Sequence, residues 1–468
     1  MNELWKWQAV DLAHAIRTRS ISSREAVTSC LERTQAVNPK LNAIVHLLEE
    51  NALIEADAAD KSVARGEVLG HLHGVPVTTK INVDQNGLPT TNGLVALRDN
   101  IAKEDSPIVA NLRKAGAIIF GRTNTPAFSM RWFTDNDLHG RTLNPWSRGH
   151  TPGGSSGGAS SAVAAGMGPI AHGNDLAGSV RYPAYCTGIF GLRPSFGRVP
   201  AFLPSAAEER PLSSQMMSVQ GPLARSVADI RLALQAMSAG DARDPWWVPA
   251  PLTGVRPNRP IRVAMTLSAA GVPVDPAIKD AILRAASWLG EAGYAIEEID
   301  PPDMAEIARL WDLISRNDTI LFVKPLIAKL GDEGIKRSFG FQFDKEPLLD
   351  MEAHLRAMSR RTTMIRKWAV FMQRYPLVLG PVSSEQAFSQ VRDIESQTSA
   401  EQVLRAQGTQ FMVPVLGLPA ISAPLGVHAG LPVGVQIIGQ RFREDLVLEA
   451  AEVLEARSPS ATPIDPRN

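Results

Sequence analysis

The sequence predicts an α/β protein, because short β-branched runs alternate with helical stretches along the chain. From about residue 70, GVPVTTKI and GAIIFGRTN are typical of buried strands, and SPIVANLRKAG between them has the spacing of a helix. Strand-like runs also return after residue 400. A length of 468 residues allows one large α/β unit or two to three smaller ones. The late strands favour one sheet that is closed by the C-terminal part of the chain.

The N-terminal segment is predicted to be helical. Leu12, Ala15 and Ile16 recur at helical spacing. After Ser22, which can accept a hydrogen bond from the first N–H groups of a helix, the run REAVTSCLERTQAV keeps the same period. A third, alanine-rich helix is expected to end at Gly66.

Strands and helices also alternate in the second half of the chain. IRVAMTL is predicted to be a strand and DPAIKDAILRAASWLGEAG an amphipathic helix, and the helices between 300 and 375 carry no recognisable motif. The late runs are predicted to be three strands and a final helix, in the order QFMVPVLG, AISAPLG, PVGVQIIG and EDLVLEAAEVLEA.

The composition excludes several classes of protein. Lysine plus arginine number 48 and aspartate plus glutamate number 48, so the chain has no net charge with which to attract nucleic acid or an anionic membrane. Two cysteines, Cys30 and Cys186, cannot form a disulfide framework. The first twenty residues carry a charge in every turn, and no run approaches eighteen apolar residues. We expect a cytoplasmic protein with no nucleic acid or membrane partner.

Lys80, at the end of an apolar run, is the first candidate for catalysis. A lysine at a strand end is most often solvated. Lowering its pKa from about 10.4 to near 7 costs roughly 4–5 kcal/mol, which burial or neighbouring positive charge must supply. Val75, Pro76, Val77 and Ile81 make such burial feasible.

The segment PGGSSGGASSAVAAG, residues 152–166, sets Ser155 and Ser156 among glycines ahead of an alanine-rich run. A phosphate-binding P-loop fails because no lysine follows the glycines, whereas a flexible connection stays open. The segment also satisfies G-x-S-x-G, with Ser156 as a nucleophile that needs a later histidine. The downstream histidines are His172, His354 and His428.

Ser179, in the segment GNDLAGSVRYPA, is a third candidate. As a structural residue it would cap a helix, which is worth about 1 kcal/mol. As a nucleophile it would sit beside backbone N–H groups that face a developing oxyanion. Those N–H groups belong to Leu176, Ala177, Gly178 and Ser179.

Lys80, Ser155 and Ser179, in this order and within these flanks, resemble the amidase signature family, which is defined by a Ser–cis-Ser–Lys triad. The 24 residues from Ser155 to Ser179 are similar to the family spacing, and the similarity continues in GPLARSVADI and near the C-terminus. The resemblance implies Ser179 as nucleophile, Ser155 as proton shuttle and Lys80 as base. It also implies a cis peptide at Gly154–Ser155 and no metal or organic cofactor.

The same resemblance implies a mixed central β-sheet covered by helices on both faces, within a single domain of residues 1–468. We divide this domain into an N-terminal helical segment, 1–66, and a catalytic core, 67–240. A divergent, substrate-side insertion, 240–400, is followed by C-terminal strands and a helix that complete the sheet, 401–468.

Two segments depart from the family pattern. Ala177 stands where relatives commonly have glycine, and it adds about 1 kcal/mol of strain if that position needs a positive φ. AFSMRWFTDN replaces a segment that lines the family's pocket. We expect the substrate to contact Ser129, Met130, Arg131 and Trp132. Core packing is the alternative for Met130 and Trp132, and carboxylate binding is a further option for Arg131.

We therefore expect an amidase that hydrolyses the linear carboxamide bond of a small, apolar or aryl substrate through an acyl-Ser179 intermediate, releasing ammonia or an amine. Three alternatives stay open: the glutaminase subunit of a tRNA-dependent amidotransferase, an α/β-hydrolase-type esterase that uses Ser156, and a scaffold without catalysis. The partner is a small-molecule amide, and a homodimer is left open. Aromatic candidates for substrate choice are Trp311, Phe322, Phe339, Phe341 and Phe343.

Overall fold

The computed structural model of the 468-residue chain describes residues 3–258, 260–344, 346–458 and 461–467. Its strands, in chain order, are β1 Ile44–Leu47, β2 Pro76–Lys80, β3 Ile118–Thr123, β4 Ile170–Asp175, β5 Phe190–Arg193, β6 Val219–Ala224, β7 Arg262–Met265, β8 Ser268–Ala269, β9 Val272–Pro273, β10 Ala295–Glu298, β11 Leu377–Gly380, β12 Ala420–His428 and β13 Leu431–Gly439.

The α-helices are α1 Ala9–Arg17, α2 Ser23–Val37, α3 Glu49–Ala64, α4 Pro107–Lys114, α5 Gly157–Ala164, α6 Arg181–Thr187, α7 Leu212–Met217, α8 Val227–Met237, α9 Pro276–Glu291, α10 Met304–Asp318, α11 Lys324–Leu330, α12 Glu333–Phe343, α13 Met351–Arg374, α14 Arg392–Glu395, α15 Gln397–Ala406, α16 Gly408–Leu416 and α17 Glu444–Glu455. One turn of π-helix, Thr319–Val323, joins α10 to α11.

Eleven of the strands form one mixed sheet in the order β1-β3-β2-β4-β6-β5-β12-β13-β11-β7-β10. β2 pairs in parallel with β3 and β4, and β7 pairs in parallel with β10 and β11. The pairings around β5, β6, β12 and β13 are antiparallel. The expected mixed sheet is confirmed.

Helices cover both faces of the sheet. This follows from consecutive residues of a strand, which pack in two different hydrophobic cores. Val263 and Ile437 join a core with α1, α4, α8, α9 and α17. The next residues, Ala264 and Ile438, join a second core with α10, α13 and α16. A strand buried on both faces carries an almost continuous apolar run, which explains why β13 lacks polar alternation.

The structure corrects two expectations about individual elements and adds detail to a third segment. QFMVPVLG is not a strand but helix α16 with Pro414 inside it, because a continuous apolar run fits a buried helix as well as a buried strand. The N-terminal segment holds strand β1, which pairs antiparallel with β3, in addition to its helices. The segment 240–400 supplies β7, β10 and β11 to the main sheet as well as helices. Within the described residues, no helix combines the length and apolarity needed to cross a membrane.

Candidate active site

Lys80 is the last residue of β2, and its side chain is fully buried, as a lysine base would require. Its Nζ lies 2.7 Å from Ser155 Oγ, 2.8 Å from Asn174 Oδ1 and 3.2 Å from Ser156 Oγ. Burial lowers the pKa of the Lys80 amine well below its ordinary value, although the carboxylate of Asp175 opposes this shift. The neutral form of the Lys80 amine therefore costs less free energy to reach than that of a solvated lysine.

The glycine-rich segment before α5 brings Ser155 to this amine. The Gly154–Ser155 peptide is cis. A Cβ on Gly154 would lie 2.2 Å from the carbonyl oxygen of Arg131, and one on Gly157 would lie 2.3 Å from Thr134 Oγ1. The glycines are therefore present because other backbone and side chains pass closely, and the segment is buried rather than a flexible connection.

Ser179 lies in the loop between β4 and α6, where it is partly exposed. It lines a cavity of about 230 Å³ together with Ser155 and Asn174. Within the described part of the chain, no hydrogen bond holds the Ser179 hydroxyl. The apolar part of the cavity wall comes from Val83, Phe128, Met130, Leu176, Phe202, Leu203, Trp311 and Val323.

Asp175, at the end of β4, organises the loop that carries Ser179. Its carboxylate accepts hydrogen bonds from the backbone N–H groups of Gly178 at 2.9 Å and Val180 at 3.2 Å. It also forms buried ion pairs with Arg181 at 3.0 Å and Arg193 at 3.2 Å. Burial alone would raise the pKa of Asp175, but the two guanidinium groups hold it well below its ordinary value. The loop is therefore held by hydrogen bonds to a carboxylate that stays ionised.

Two tryptophans fix the peptide planes beside Ser179. Trp311 Nε1 donates to the carbonyl oxygen of Leu176 at 3.1 Å, and Trp132 Nε1 donates to that of Ala177 at 2.8 Å. A trans peptide directs its N–H opposite to its carbonyl oxygen. The Ala177 N–H therefore points away from the Trp311 indole.

Three of the four N–H groups expected to face an oxyanion have no acceptor within the described residues: those of Leu176, Ala177 and Ser179. The fourth, on Gly178, already donates to Asp175. Gly178 adopts the left-handed conformation, with φ of 86°, whereas Ala177 does not. The strain considered for alanine at position 177 therefore does not arise.

The segment 129–132 contributes only its first half to the cavity. Ser129 and Met130 line the wall. Arg131 does not, because its guanidinium donates to both oxygens of Asp393 at 2.7 and 2.8 Å, with both side chains buried. Trp132 is not among the residues that line the cavity either, and its indole donates to the carbonyl oxygen of Ala177, so contact of Arg131 and Trp132 with the substrate stays a prediction that the cavity wall does not support.

Ser156 is not placed to act as a nucleophile. It is fully buried, does not line the cavity, and hydrogen-bonds to Lys80. His172 is buried and bonded to Gln220 instead, and neither His354 nor exposed His428 contacts Ser156 within the described residues. The nucleophile-elbow interpretation therefore lacks its histidine.

Sequence reasoning missed Asn174 and Asn82, two polar residues of the cavity wall. A sequence signal existed for Asn174, since a polar residue next to Asp175 at a strand end lies near an expected nucleophile. Of the five aromatic candidates, Trp311 lines the cavity. Phe339 and Phe343 pack in a separate cluster, and Phe322 is 58% exposed.

Comparison with known proteins places the chain in a family. The model of the family described as Amidase matches residues 25–448, and the chain belongs to this family. An indoleacetamide hydrolase of Bradyrhizobium diazoefficiens is 48% identical over 97% of this chain and 87% of its own length. An acylamidase of Rhodococcus erythropolis is 34% identical over 97% of this chain and 96% of its own.

A solved structure agrees with these relatives. The crystal structure of a bacterial aryl acylamidase of the amidase signature family matches with a TM-score of 0.84 and 28% identity, over 97% of this chain and 96% of that one. The family expected from the sequence is confirmed. The protein is a hydrolase that acts on carbon–nitrogen bonds of linear amides.

Proposed function

We propose that this amidase cleaves small aryl or apolar carboxamides through an acyl-Ser179 intermediate. The observation that carries the proposal is the 2.7 Å contact between Lys80 Nζ and Ser155 Oγ, in a cavity wall shared with Ser179. A serine hydroxyl becomes a useful nucleophile when a neighbouring group accepts its proton.

The proton route runs from Ser179 through Ser155 to Lys80. Ser155 can donate its own proton to a neutral amine while it accepts the proton of Ser179. Burial supports this role, because it lowers the pKa of Lys80 and so favours the neutral amine. Lys80 returns this proton through Ser155 to the departing nitrogen as the C–N bond breaks and the acyl-enzyme forms. In the second half, water gives its proton along the same route while it attacks the acyl carbon, and the proton passes back to Ser179 as the acyl C–O bond breaks.

The oxyanion is stabilised by the N–H groups of Leu176, Ala177 and Ser179. Donors that are held in place before the reaction stabilise developing negative charge without reorganisation, and the Trp311 indole holds the peptide that carries the Ala177 N–H. The Gly178 N–H is left out of this set, since Asp175 already accepts from it. Gly178 instead allows the turn in the backbone.

The substrate is a small amide with an apolar or aryl acyl group, and ammonia or an amine is the leaving group. Phe128, Met130, Leu176 and Trp311 give the cavity an apolar wall, and a volume of about 230 Å³ suits a small ligand. The names of the relatives, indoleacetamide hydrolase and acylamidase, point in the same direction. A cytoplasmic location and a homodimer stay predictions.

Arg210 favours a second candidate, hydrolysis of an amide that carries a carboxylate, such as glutamine. Its side chain lines the cavity and makes no ion pair or hydrogen bond within the described residues. Burial lowers the pKa of Arg210, and the charges of Asp244 and Glu209 oppose this. A guanidinium without a partner suits a carboxylate, so glutamine belongs in the substrate panel.

The test combines labelling with turnover. A fluorophosphonate should add once to wild type, on the peptide that contains Ser179, and not to Ser179→Ala. Ser156→Ala should still be labelled. Ammonia release should be saturable for indole-3-acetamide or phenylacetamide and at least tenfold weaker in kcat/KM for glutamine. An adduct on Ser156, or turnover that survives Ser179→Ala, would sink the proposal, and a preference for glutamine would favour the second candidate.

A further inference from the structure

A row of hydrogen-bonded side chains runs along the cavity wall and ends on Lys80. Asn174 Oδ1 accepts from Lys80 Nζ at 2.8 Å, and Asn174 Nδ2 donates to Asn82 Oδ1 at 3.1 Å. Asn82 Nδ2 then donates to Ser129 Oγ at 2.9 Å. Ser129 Oγ donates to Asn92 Oδ1 at 2.7 Å. Four members of the row line the cavity.

The row fixes which end of the Asn174 amide faces the lysine. Asn174 and Asn82 each have the amide oxygen toward a donor and the amide nitrogen toward an acceptor. Turning over the Asn174 side chain would set its NH₂ group against an N–H of Lys80 and its oxygen against the oxygen of Asn82. Buried mismatches of this kind cost about 1–3 kcal/mol each. Asn174 therefore presents a carbonyl oxygen to the amine.

A carbonyl oxygen can accept but cannot donate, and this decides where the Lys80 lone pair points. A neutral amine has two N–H groups and one lone pair. One N–H is used by Asn174, and the more distant Ser156, at 3.2 Å, is placed to accept the second. The lone pair then remains for Ser155, which is the closest hydroxyl at 2.7 Å.

We propose that Asn174 is a positioning residue that turns the lone pair of Lys80 toward Ser155, so that the amine can receive a proton from that hydroxyl. The inference rests on the proposed function, in which Lys80 is the base. It adds a residue outside the Ser–Ser–Lys set, and Asn82 and Ser129 hold that residue in the required orientation.

The test is Asn174→Asp, which keeps the shape and the acceptor but adds a charge. Within the described residues, the titratable groups that interact with Lys80 are Asp175 and His172, both on β4, and Arg122 on β3 acts on His172 instead. Asp175 is already paired with two arginines, and burial lowers the pKa of His172 to about 4, so neither titrates near neutrality. A new carboxylate beside the amine should favour the ammonium form.

The rate of fluorophosphonate labelling at Ser179 should rise with pH. In Asn174→Asp, the midpoint of this rising limb should lie at least one pH unit higher than in wild type. Labelling should recover to at least a third of the wild-type rate above that limb. Asn92→Asp, at the far end of the row, is the matched control and should move the limb less than half as far. A uniform loss of labelling without movement of the limb, or equal movement in both variants, would overturn the inference.

Asn174→Leu gives a second readout if the aspartate variant does not fold. It removes the acceptor, so kcat for amide turnover should fall at least tenfold while KM stays within threefold. A wild-type kcat would overturn the inference. Wild type itself separates the two proposals: absence of labelling at Ser179 would remove the proposed function, whereas normal wild-type labelling with an unmoved Asn174→Asp limb would remove the role of Asn174 alone.

Discussion

Among the residues of the loop that carries Ser179, we expect the replacement of Gly178 to lower activity most. Its φ is 86°, and a Cβ there would lie 2.2 Å from Gln410 Oε1. Alanine would meet about 1 kcal/mol of backbone strain and, in addition, a clash with a buried side chain. We expect Gly178→Ala to lower kcat/KM at least a hundredfold, measured as ammonia release, because the next peptide carries the Ser179 N–H, one of the proposed oxyanion donors.

Gly293 provides the control for that substitution. Its φ is 91°, and no atom lies within 4 Å of the place of a Cβ. Gly293→Ala therefore brings strain without a clash, and it should lower Tm by a few degrees while leaving kcat/KM within twofold. Equal losses of activity in the two variants would show that backbone strain alone, and not the contact with Gln410, explains the effect.

Residue identities in the site were largely predictable, whereas their contacts were not. Lys80, Ser155 and Ser179 could be found because each sits in a distinctive local flank. The partner of Arg131 could not, since Asp393 lies 262 residues away and its own surroundings carry no signal. Which side chain takes up a buried charge is decided by tertiary packing, and one sequence does not contain that information.

Elements were predictable where period or residue type is distinctive. α9 carries apolar residues at helical spacing, and β2 is a short β-branched run, so the sequence predicts both elements correctly. α16 was placed wrongly because its apolar run has no period and its proline favours neither a strand nor a helix interior. β1 was missed because the strand is only four residues long and lies between two helices, α2 and α3.

Asp229 links two helices and should make their packing depend on pH. On α8, its backbone N–H donates to the N-cap Ser226 at 3.1 Å, and its Oδ1 accepts from the N–H of Val10 in α1 at 3.0 Å. Burial raises the pKa of the Asp229 carboxyl to about 6, although Arg225 nearby lowers it, and the pKa of neighbouring Glu455 is raised in the same way.

The sign of the Asp229 effect follows from where the proton is held. Between about pH 4 and pH 6 the folded carboxyl keeps a proton that the unfolded chain releases, so its contribution to the free energy of unfolding falls as pH rises and then levels off. The loss is about 3 kcal/mol at most, from a difference of about two pKa units. The Tm of Asp229→Asn should therefore increase relative to the Tm of wild type as the pH rises from 4.5 to 7.

Asp241→Asn is the control of opposite sign. A hydrogen bond from Arg243 lowers the pKa of Asp241, so its stabilising effect is present at neutral pH and is lost in acid. This variant should lose Tm at pH 7 and approach wild type as the pH falls. Parallel Tm curves for Asp229→Asn and wild type would contradict the linkage between α1 and α8.

On the scale of the whole molecule, the last strands of the chain lie in the middle of the sheet. β12 and β13 stand between β5 and β11, although every other strand precedes them in sequence. Without them the sheet would divide into a six-stranded part ending at β5 and a three-stranded part ending at β11. Each part would present an unpaired edge and apolar faces, which is a common cause of aggregation.

A chain that ends at Gly417 should therefore fail to fold, even though it contains Lys80, Ser155 and Ser179. It would lack β12, β13 and α17, and α17 packs against both of these strands and against α8 and α9. We expect this chain in the insoluble fraction or degraded by low protease concentrations. A chain that ends at Ser458 keeps all three elements and should remain soluble and be labelled at Ser179 by a fluorophosphonate. Soluble, labelled protein ending at Gly417 would show instead that the N-terminal six strands hold the site on their own.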